Sequence, residues 1–258
     1  MHTPETRLVA SRRRQGCIPP PFHSGCAFHL PHSPTLPMCL FFVQSKHRAP
    51  PNANPFLLYP QVHKLCQESA PEILEKFQPQ LMIAIGGGGY VPARILRSFL
   101  KKPGSPNIPI QAIGLSLYES LPTDTVEEKP GTKVTRTQWL DLSSLGSMSN
   151  LVGKRILIVD EVDDTRTTLE YAVKELEKDV EQARKEMGAE GEETQFSIFV
   201  LHNKDKQKKG VLPHAMLESG RYKAARTVGD EWICYPWEAI DIEEHDELAR
   251  QQKANGSA

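Results

Sequence analysis

Residues 156–168, Ile-Leu-Ile-Val-Asp-Glu-Val-Asp-Asp-Thr-Arg-Thr-Thr, constrain this chain more than any other stretch. Four apolar residues read as a buried strand, and four carboxylates, Asp160, Glu161, Asp163 and Asp164, crowd the five positions that follow. Behind them Leu169, Ala172, Val173, Leu176, Val180, Ala183 and Met187 recur at helical spacing. The acidic turn has two readings. Asp and Thr are favoured at solvated turns and helix N-caps for local reasons. Four carboxylates so close together, however, repel one another unless a cation or polar ligand sits among them. Thr165, Arg166, Thr167 and Thr168 would set backbone N–H groups and hydroxyls at a helix N-terminus, where unpaired amides and the helix dipole stabilise a phosphate. Asp160 and Glu161, at the strand's end, suit the paired hydroxyls of a ribose, which offer donors to carboxylate acceptors. On this reading a sugar and its phosphate are held side by side.

The rest of the pattern supplies neighbours for that strand. Val62, Leu65, Cys66, Ala70, Ile73 and Leu74 fall at helical spacing ahead of an apolar run over 81–85, which Gly86, Gly87, Gly88 and Gly89 break. A second helix is predicted over 91–101, closed by Pro103 and Gly104, then strands over 110–118 and 196–201. Apolar strands alternating with helices predict an α/β fold, a parallel sheet flanked by helices, with ligands at the carboxyl ends of the strands. Residues 119–133, polar and carrying Pro122, Pro130 and Gly131, read as a mobile loop.

Residues 1–54 have a different texture: nine of the 21 prolines, five of the nine histidines and no helical or strand period, so they are predicted to be a disordered extension. Cys17, His23, Cys26, His29, His32 and Cys39 match no familiar metal-ligand spacing. Pro19, Pro20 and Pro21 interrupt the amphipathic helix that a mitochondrial presequence would need. The extension carries six Lys or Arg against Glu5, so a formal charge of -1 leaves about -6 for the remainder, which argues against a nucleic-acid surface there. Five cysteines without a CxxC pair fit reduced, intracellular thiols. The apolar run over 38–43 is too short for a membrane span or a signal h-region, so a cytoplasmic protein with no membrane partner is expected. The expected division is an extension over 1–54, one domain over 55–245 and a flexible tail over 246–258.

The 13-residue run resembles the phosphoribosyl-pyrophosphate motif of type I phosphoribosyltransferases. It departs from that motif at Glu161, where Asp is usual, and at Arg166, where a small residue is common; Arg166 adds a cation that either holds a 5′-phosphate or covers it. From about residue 59 to 245 the chain resembles the fungal 6-oxopurine phosphoribosyltransferases, through Tyr59-Pro-Gln-Val-His-Lys-Leu-Cys-Gln67, Ile83-Ala-Ile-Gly-Gly-Gly-Gly89, Arg136-Thr-Gln-Trp-Leu-Asp141 and the acidic run. Residues 107–119, 199–205 and 232–237 look closer to the xanthine-using branch than to the hypoxanthine-guanine branch.

The resemblance implies a type I fold with a small base-binding hood and a homodimer. It implies transfer of a ribosyl phosphate from phosphoribosyl pyrophosphate to a purine base with Mg²⁺ as cofactor. Gly86, Gly87, Gly88 and Gly89 correspond to the pyrophosphate loop. Alone they are weak, and as a dinucleotide fingerprint they fail, because Val91 stands where the third glycine belongs. More distant relatives carry Arg at the place of Gly87, so Arg136 and Mg²⁺ are expected to meet the pyrophosphate charge; Arg136 equally reads as a surface cation. Trp232 and Ile233 resemble the residues that stack on the purine and present a carbonyl to its position 2, although tryptophan is also a common core residue. Lys204 looks like the donor to purine O6, with Lys206 close enough to confuse the assignment. Glu161 is the expected Mg²⁺ contact, directly or through water. Asp164 is the expected general base, taking the proton from purine N7 as N9 attacks, and residues 119–133 would close over the site. A regulator that keeps the motif only to sense phosphoribosyl pyrophosphate is the alternative of another class. No GxxxxGK[ST] segment supports a kinase.

Overall fold

The computed structural model describes residues 55–116, 134–140, 148–188, 191 and 193–254. The extension over 1–54, the loop expected at 119–133 and residues 255–258 lie outside the described residues.

Six strands, β1 (Leu81–Gly86), β2 (Ile110–Ser116), β3 (Thr135–Gln138), β4 (Arg155–Asp163), β5 (Gln195–Lys204) and β6 (Tyr222–Val228), form one sheet in the order β3-β2-β1-β4-β5-β6. Every neighbouring pair is parallel except β2 with β3. The helices are α1 (Tyr59–Lys76), α2 (Tyr90–Leu100), α3 (Thr167–Met187), the short α4 (His214–Glu218) and α5 (Ile242–Ala254).

Because side chains alternate across a strand, β4 feeds two cores. Ile156 and Ile158 pack with Ile83, Ile198 and the α3 stripe of Leu169, Ala172, Val173, Leu176, Val180 and Ala183. Leu157 and Val159 pack with Phe199, Leu201 and the inner faces of α1 and α2, including Val62, Leu65 and Leu96. A strand covered on both faces reads as a continuous apolar run rather than an alternating one, which is why 156–159 and 196–201 are legible as buried strands. The helix stripe ends short: Met187 is 53% exposed, and Gly188, at φ 62, closes α3 in the left-handed conformation with its N–H on the carbonyls of Arg184 and Lys185.

Two expectations shift. β4 does not end at Val159; Asp160, Val162 and Asp163 pair with Val200, His202 and Asn203 of β5, so the first acids of the motif sit on a hydrogen-bonded strand. The tail expected from 246 is instead the body of α5, which continues to Ala254. It is docked, with His245 and Ala249 buried, His245 Nε2 2.8 Å from the Leu57 carbonyl, and Phe56 N–H donating to Gln252 Oε1 at 2.9 Å.

The hood is built from both ends of the domain. Phe56 and Cys234 form a parallel bridge, with Leu57 N–H on the Cys234 carbonyl at 3.0 Å and Cys234 N–H on the Pro55 carbonyl at 2.9 Å. Among the described residues no helix is long and apolar enough to cross a membrane.

Candidate active site

A cavity of about 300 Å³ opens at the carboxyl ends of β1, β2, β4 and β5, the edge the topology reserves for ligands. Of the residues singled out in the sequence, Gly86, Asp160, Glu161, Asp164, Thr165, Arg166, Thr168, Lys204, Trp232 and Ile233 line it. Gly87, Gly88, Gly89, Arg136 and Thr167 do not stand on its wall.

The acid pair forms one end. Asp160 is buried, and its Oδ1 accepts the Glu161 N–H at 2.9 Å. Burial first, and then the adjacent Glu161 charge, push the Asp160 carboxyl well above the usual carboxylate range. Glu161 Oε2 is buried without a hydrogen-bond partner. The Glu161 carboxylate lies so close over Gly88 that any Cβ there would collide with it, which explains a glycine at a position off the cavity wall. Glu238 faces the same cavity, its carboxyl raised by burial and then by the charge of Glu161. Nothing in the sequence set Glu238 apart from other acids.

The turn that follows is fastened from within. Asp163, 1% exposed, accepts through Oδ2 from Arg166 Nε at 2.9 Å, from Arg166 Nη2 at 2.7 Å and from the Tyr222 hydroxyl at 2.7 Å. The Arg166 guanidinium also stands 5.0 Å over the Tyr222 ring, so it is engaged by Asp163 and by β6 while its side chain lines the cavity. Arg166 itself takes φ 69 as the N-cap of α3, and Gly210 presses on its carbonyl, where a Cβ would come within 2.6 Å of the carbonyl carbon. Thr165 and Thr167 hydroxyls are 3.1 Å apart. Lys208, unremarked in the sequence within a run that reads as solvated, donates to the carbonyls of Asp163, Asp164 and Lys204 at 2.7, 2.9 and 2.8 Å.

The opposite end is aromatic and cationic. Lys204, last residue of β5 and buried, places Nζ 3.7 Å from Asp164 Oδ1 and 5.8 Å from the Trp232 ring centroid. Lys206 Nζ is closer to Asp164 Oδ1, at 2.5 Å, and also 2.7 Å from Asp230 Oδ1, but only Lys204 of the two lines the cavity. Trp232 is 66% exposed, which removes it from the core, while Ile233 beside it is buried. Tyr235 lies beneath, stacked on Trp237 at 4.7 Å and donating to the Glu161 carbonyl at 3.1 Å.

The glycine loop leaves β1 with a cis peptide between Gly86 and Gly87 and runs into α2, for which Gly89 is the N-cap. Arg136 is not brought to the cavity. On exposed β3 it pairs with Glu175, donates from Nε to the Tyr171 hydroxyl at 3.1 Å and lies 4.0 Å over the Trp139 ring.

No protein-family model matches the chain. It is 57% identical over 203 residues to xanthine phosphoribosyltransferase 1 of Saccharomyces cerevisiae, a match spanning 78% of this chain and 97% of that protein. It is 61% identical over 188 residues to the hypoxanthine-guanine phosphoribosyltransferase of Schizosaccharomyces pombe, spanning 73% of this chain and 90% of the relative. Among solved structures, a TM-score of 0.60 and 35% identity relate it to a hypothetical protein from Neisseria gonorrhoeae with bound ppGpp, over 78% of this chain and 97% of that one.

Proposed function

The chain belongs to the purine phosphoribosyltransferases of the xanthine and hypoxanthine-guanine kind, and on that premise we propose that its cavity joins xanthine, and with it guanine or hypoxanthine, to the ribosyl phosphate of phosphoribosyl pyrophosphate. The observation that carries the reading is the convergence of Lys204, Asp164 and Trp232 at one end of a cavity whose other end is an acid pair beside a helix N-terminus.

The base would lie on the exposed face of Trp232, with O6 toward the ammonium of Lys204 and position 2 toward the backbone of Ile233. Ribose hydroxyls would donate to Asp160 and Glu161, and the 5′-phosphate would take N–H and hydroxyl donors from residues 165–168. As the bond from C1 to pyrophosphate lengthens, N9 attacks C1 and Asp164 takes or shares the proton on N7. Lys204 and Lys206 lie 3.7 and 2.5 Å from Asp164 Oδ1 and would fix the position of that carboxylate beside the base. Amides of Gly86, Gly87, Gly88 and Gly89 would face the leaving group; Arg136 would join them only on leaving Glu175 and Tyr171.

The residues fit Mg²⁺: a buried Glu161 oxygen without a donor, beside an Asp160 whose charge is disfavoured, is a site short of positive charge. Glu161 would hold Mg²⁺ there, directly or through water, and the ion would supply positive charge to offset the pyrophosphate. A homodimer, on the family resemblance, and a cytoplasmic location without nucleic-acid or membrane partners, on the charge balance, cysteine pattern and apolar runs of the sequence, complete the proposal.

The test is release of pyrophosphate on incubation with phosphoribosyl pyrophosphate, Mg²⁺ and each of xanthine, guanine and hypoxanthine. Turnover with xanthine at the highest kcat/KM supports the reading in full. Turnover with guanine and hypoxanthine alone would move the protein to the sister specificity, and binding without pyrophosphate release would make it a sensor.

A further inference from the structure

His202, buried on β5, is not used by the transfer reaction. Its Nδ1 lies 2.9 Å from the Tyr235 hydroxyl, which in turn lies 3.1 Å from the Glu161 carbonyl oxygen. A carbonyl only accepts and a phenol has one proton, so that proton points at Glu161 and Nδ1–H must donate to Tyr235. Burial, and then the charge of Arg226, lower the pKa of His202 to about 4, so its ring is neutral at pH 7 and Nε2 is a lone-pair acceptor.

His202 belongs to the wall of a second cavity, about 750 Å³, under the hood; Ile233 is common to the walls of both cavities. Phe56, Leu65, Val228 and Ala249 give the second cavity an apolar interior. Its rim holds four cations, Lys64, Arg226, Arg250 and Lys253, against the single carboxylate of Glu68. Glu68 is shared between Arg226 and Lys64, the latter 3.8 Å away, and Arg250 pairs with Glu247 outside the wall at 3.4 Å. Lys253 makes no ion pair among the described residues. Volumes of this order enclose small ligands, and the rim calls for an anion.

We propose that this cavity is a second binding site, for a purine nucleoside monophosphate, with the base between the apolar walls, an N–H of the base on His202 Nε2 and the phosphate at the rim of Lys64, Arg226, Arg250 and Lys253. A fatty acyl anion would satisfy the walls and the rim but leave Nε2 without a donor, whereas a nucleotide supplies a flat ring, a donor and a phosphate together. A donor on Nε2 extends a hydrogen-bond chain through Tyr235 to Glu161, and each bond in such a chain polarises the next. Occupancy is thereby coupled to the acid pair of the active site, and the coupling is reciprocal. Binding stands independently of the transferase reading; its meaning as feedback by the product class rests on it.

The experiment is titration calorimetry of the full chain with xanthosine 5′-monophosphate and, separately, guanosine 5′-monophosphate, reading equivalents per chain. The wild type is expected to bind two equivalents, one in each cavity. Ala249→Trp, which fills the second cavity from α5, should bind one and keep the wild-type kcat measured without product. Lys253→Glu, on an exposed helix position, should weaken only the second equivalent, by about tenfold, and it serves as the test should Ala249→Trp fail to fold. One equivalent in the wild type, two unweakened equivalents in both variants, or displacement of the second by decanoate would overturn the second site as a nucleotide site. Binding of none would overturn the transferase reading along with it.

Discussion

The ammonium of Lys208 lies 2.7 Å from the carbonyl oxygen of Asp163 and ties the end of β4 to the loop beyond β5. The same group meets the carbonyls of Asp164 and Lys204, so one side chain sets the distance between the turn after β4 and the lysine that ends β5. Lys208→Met keeps the apolar stem and removes every donor. Leaving these acceptors and the buried Asp163 short of a partner should cost about 2–4 kcal/mol in urea unfolding. KM for phosphoribosyl pyrophosphate should rise more than KM for the base. A stability change under about 0.5 kcal/mol, within the range of ordinary surface substitutions, contradicts this role.

Trp232 carries no core packing at 66% exposure, so its truncation separates binding from folding. Trp232→Ala should leave the unfolding midpoint within the range of a surface substitution and weaken base binding by about 1–3 kcal/mol, with KM for phosphoribosyl pyrophosphate little changed. Equal effects on both substrates in steady-state kinetics would contradict a stacking role.

How much of this was legible beforehand follows the physics of each element. The buried central strands and α3 announce themselves because both faces of the sheet are covered and the helix has one apolar stripe. The edge strands do not: β3 is exposed throughout and β6 is nowhere fully buried, so neither has an apolar run to read. The acidic motif and Trp232 were legible as types in a pattern, yet their partners came from distant chain. Tyr222 fastens Asp163, Tyr235 reaches Glu161 from the hood and Glu238 faces the acid pair, contacts that depend on tertiary packing and leave no local spacing. Arg136, which the resemblance sets toward the leaving group, lies on β3 with its guanidinium on Glu175 of α3, a pairing that no local spacing announces.

His202 gives a pH signature. Its folded pKa, about 4, lies below the ordinary 6.5, so between those values the unfolded chain binds a proton that the native chain refuses. The stability present above pH 6.5 is therefore lost as pH falls through that window, by up to about 3 kcal/mol. Asp160, Glu177 and Glu238, whose pKa values are raised, act in the opposite sense, so the comparison must be with His202→Gln, where their contributions cancel. Denaturant unfolding from pH 7 to pH 4 should show the wild type losing more than the variant; parallel curves contradict a buried neutral imidazole.

Removal of residues 1–54 should leave kcat and both KM values unchanged, since that segment carries no core-forming sequence period. Removal of residues 1–58 takes away the partners of Cys234, His245 and Gln252, and should raise KM for the base by loosening the chain that carries Trp232. Equal kinetics for the two truncations would show that the N-terminal half of the hood is dispensable.

Asp164 is the residue on which the proposed chemistry turns, since among the described residues it alone of the motif's acids pairs with Lys204 on the cavity wall, at 3.7 Å, and it is also held by Lys206 at 2.5 Å. The direct measurement is the pH dependence of kcat for Asp164→Asn beside the wild type, with xanthine, guanine and hypoxanthine. A general base predicts a fall in kcat of about 10²–10⁴ and loss of the rise with pH on the acid side, with the KM for phosphoribosyl pyrophosphate largely kept. A loss of the same size at every pH would assign Asp164 to electrostatic stabilisation of the ribosyl cation instead, and near wild-type kcat at pH 7 with all three bases would contradict a catalytic role altogether.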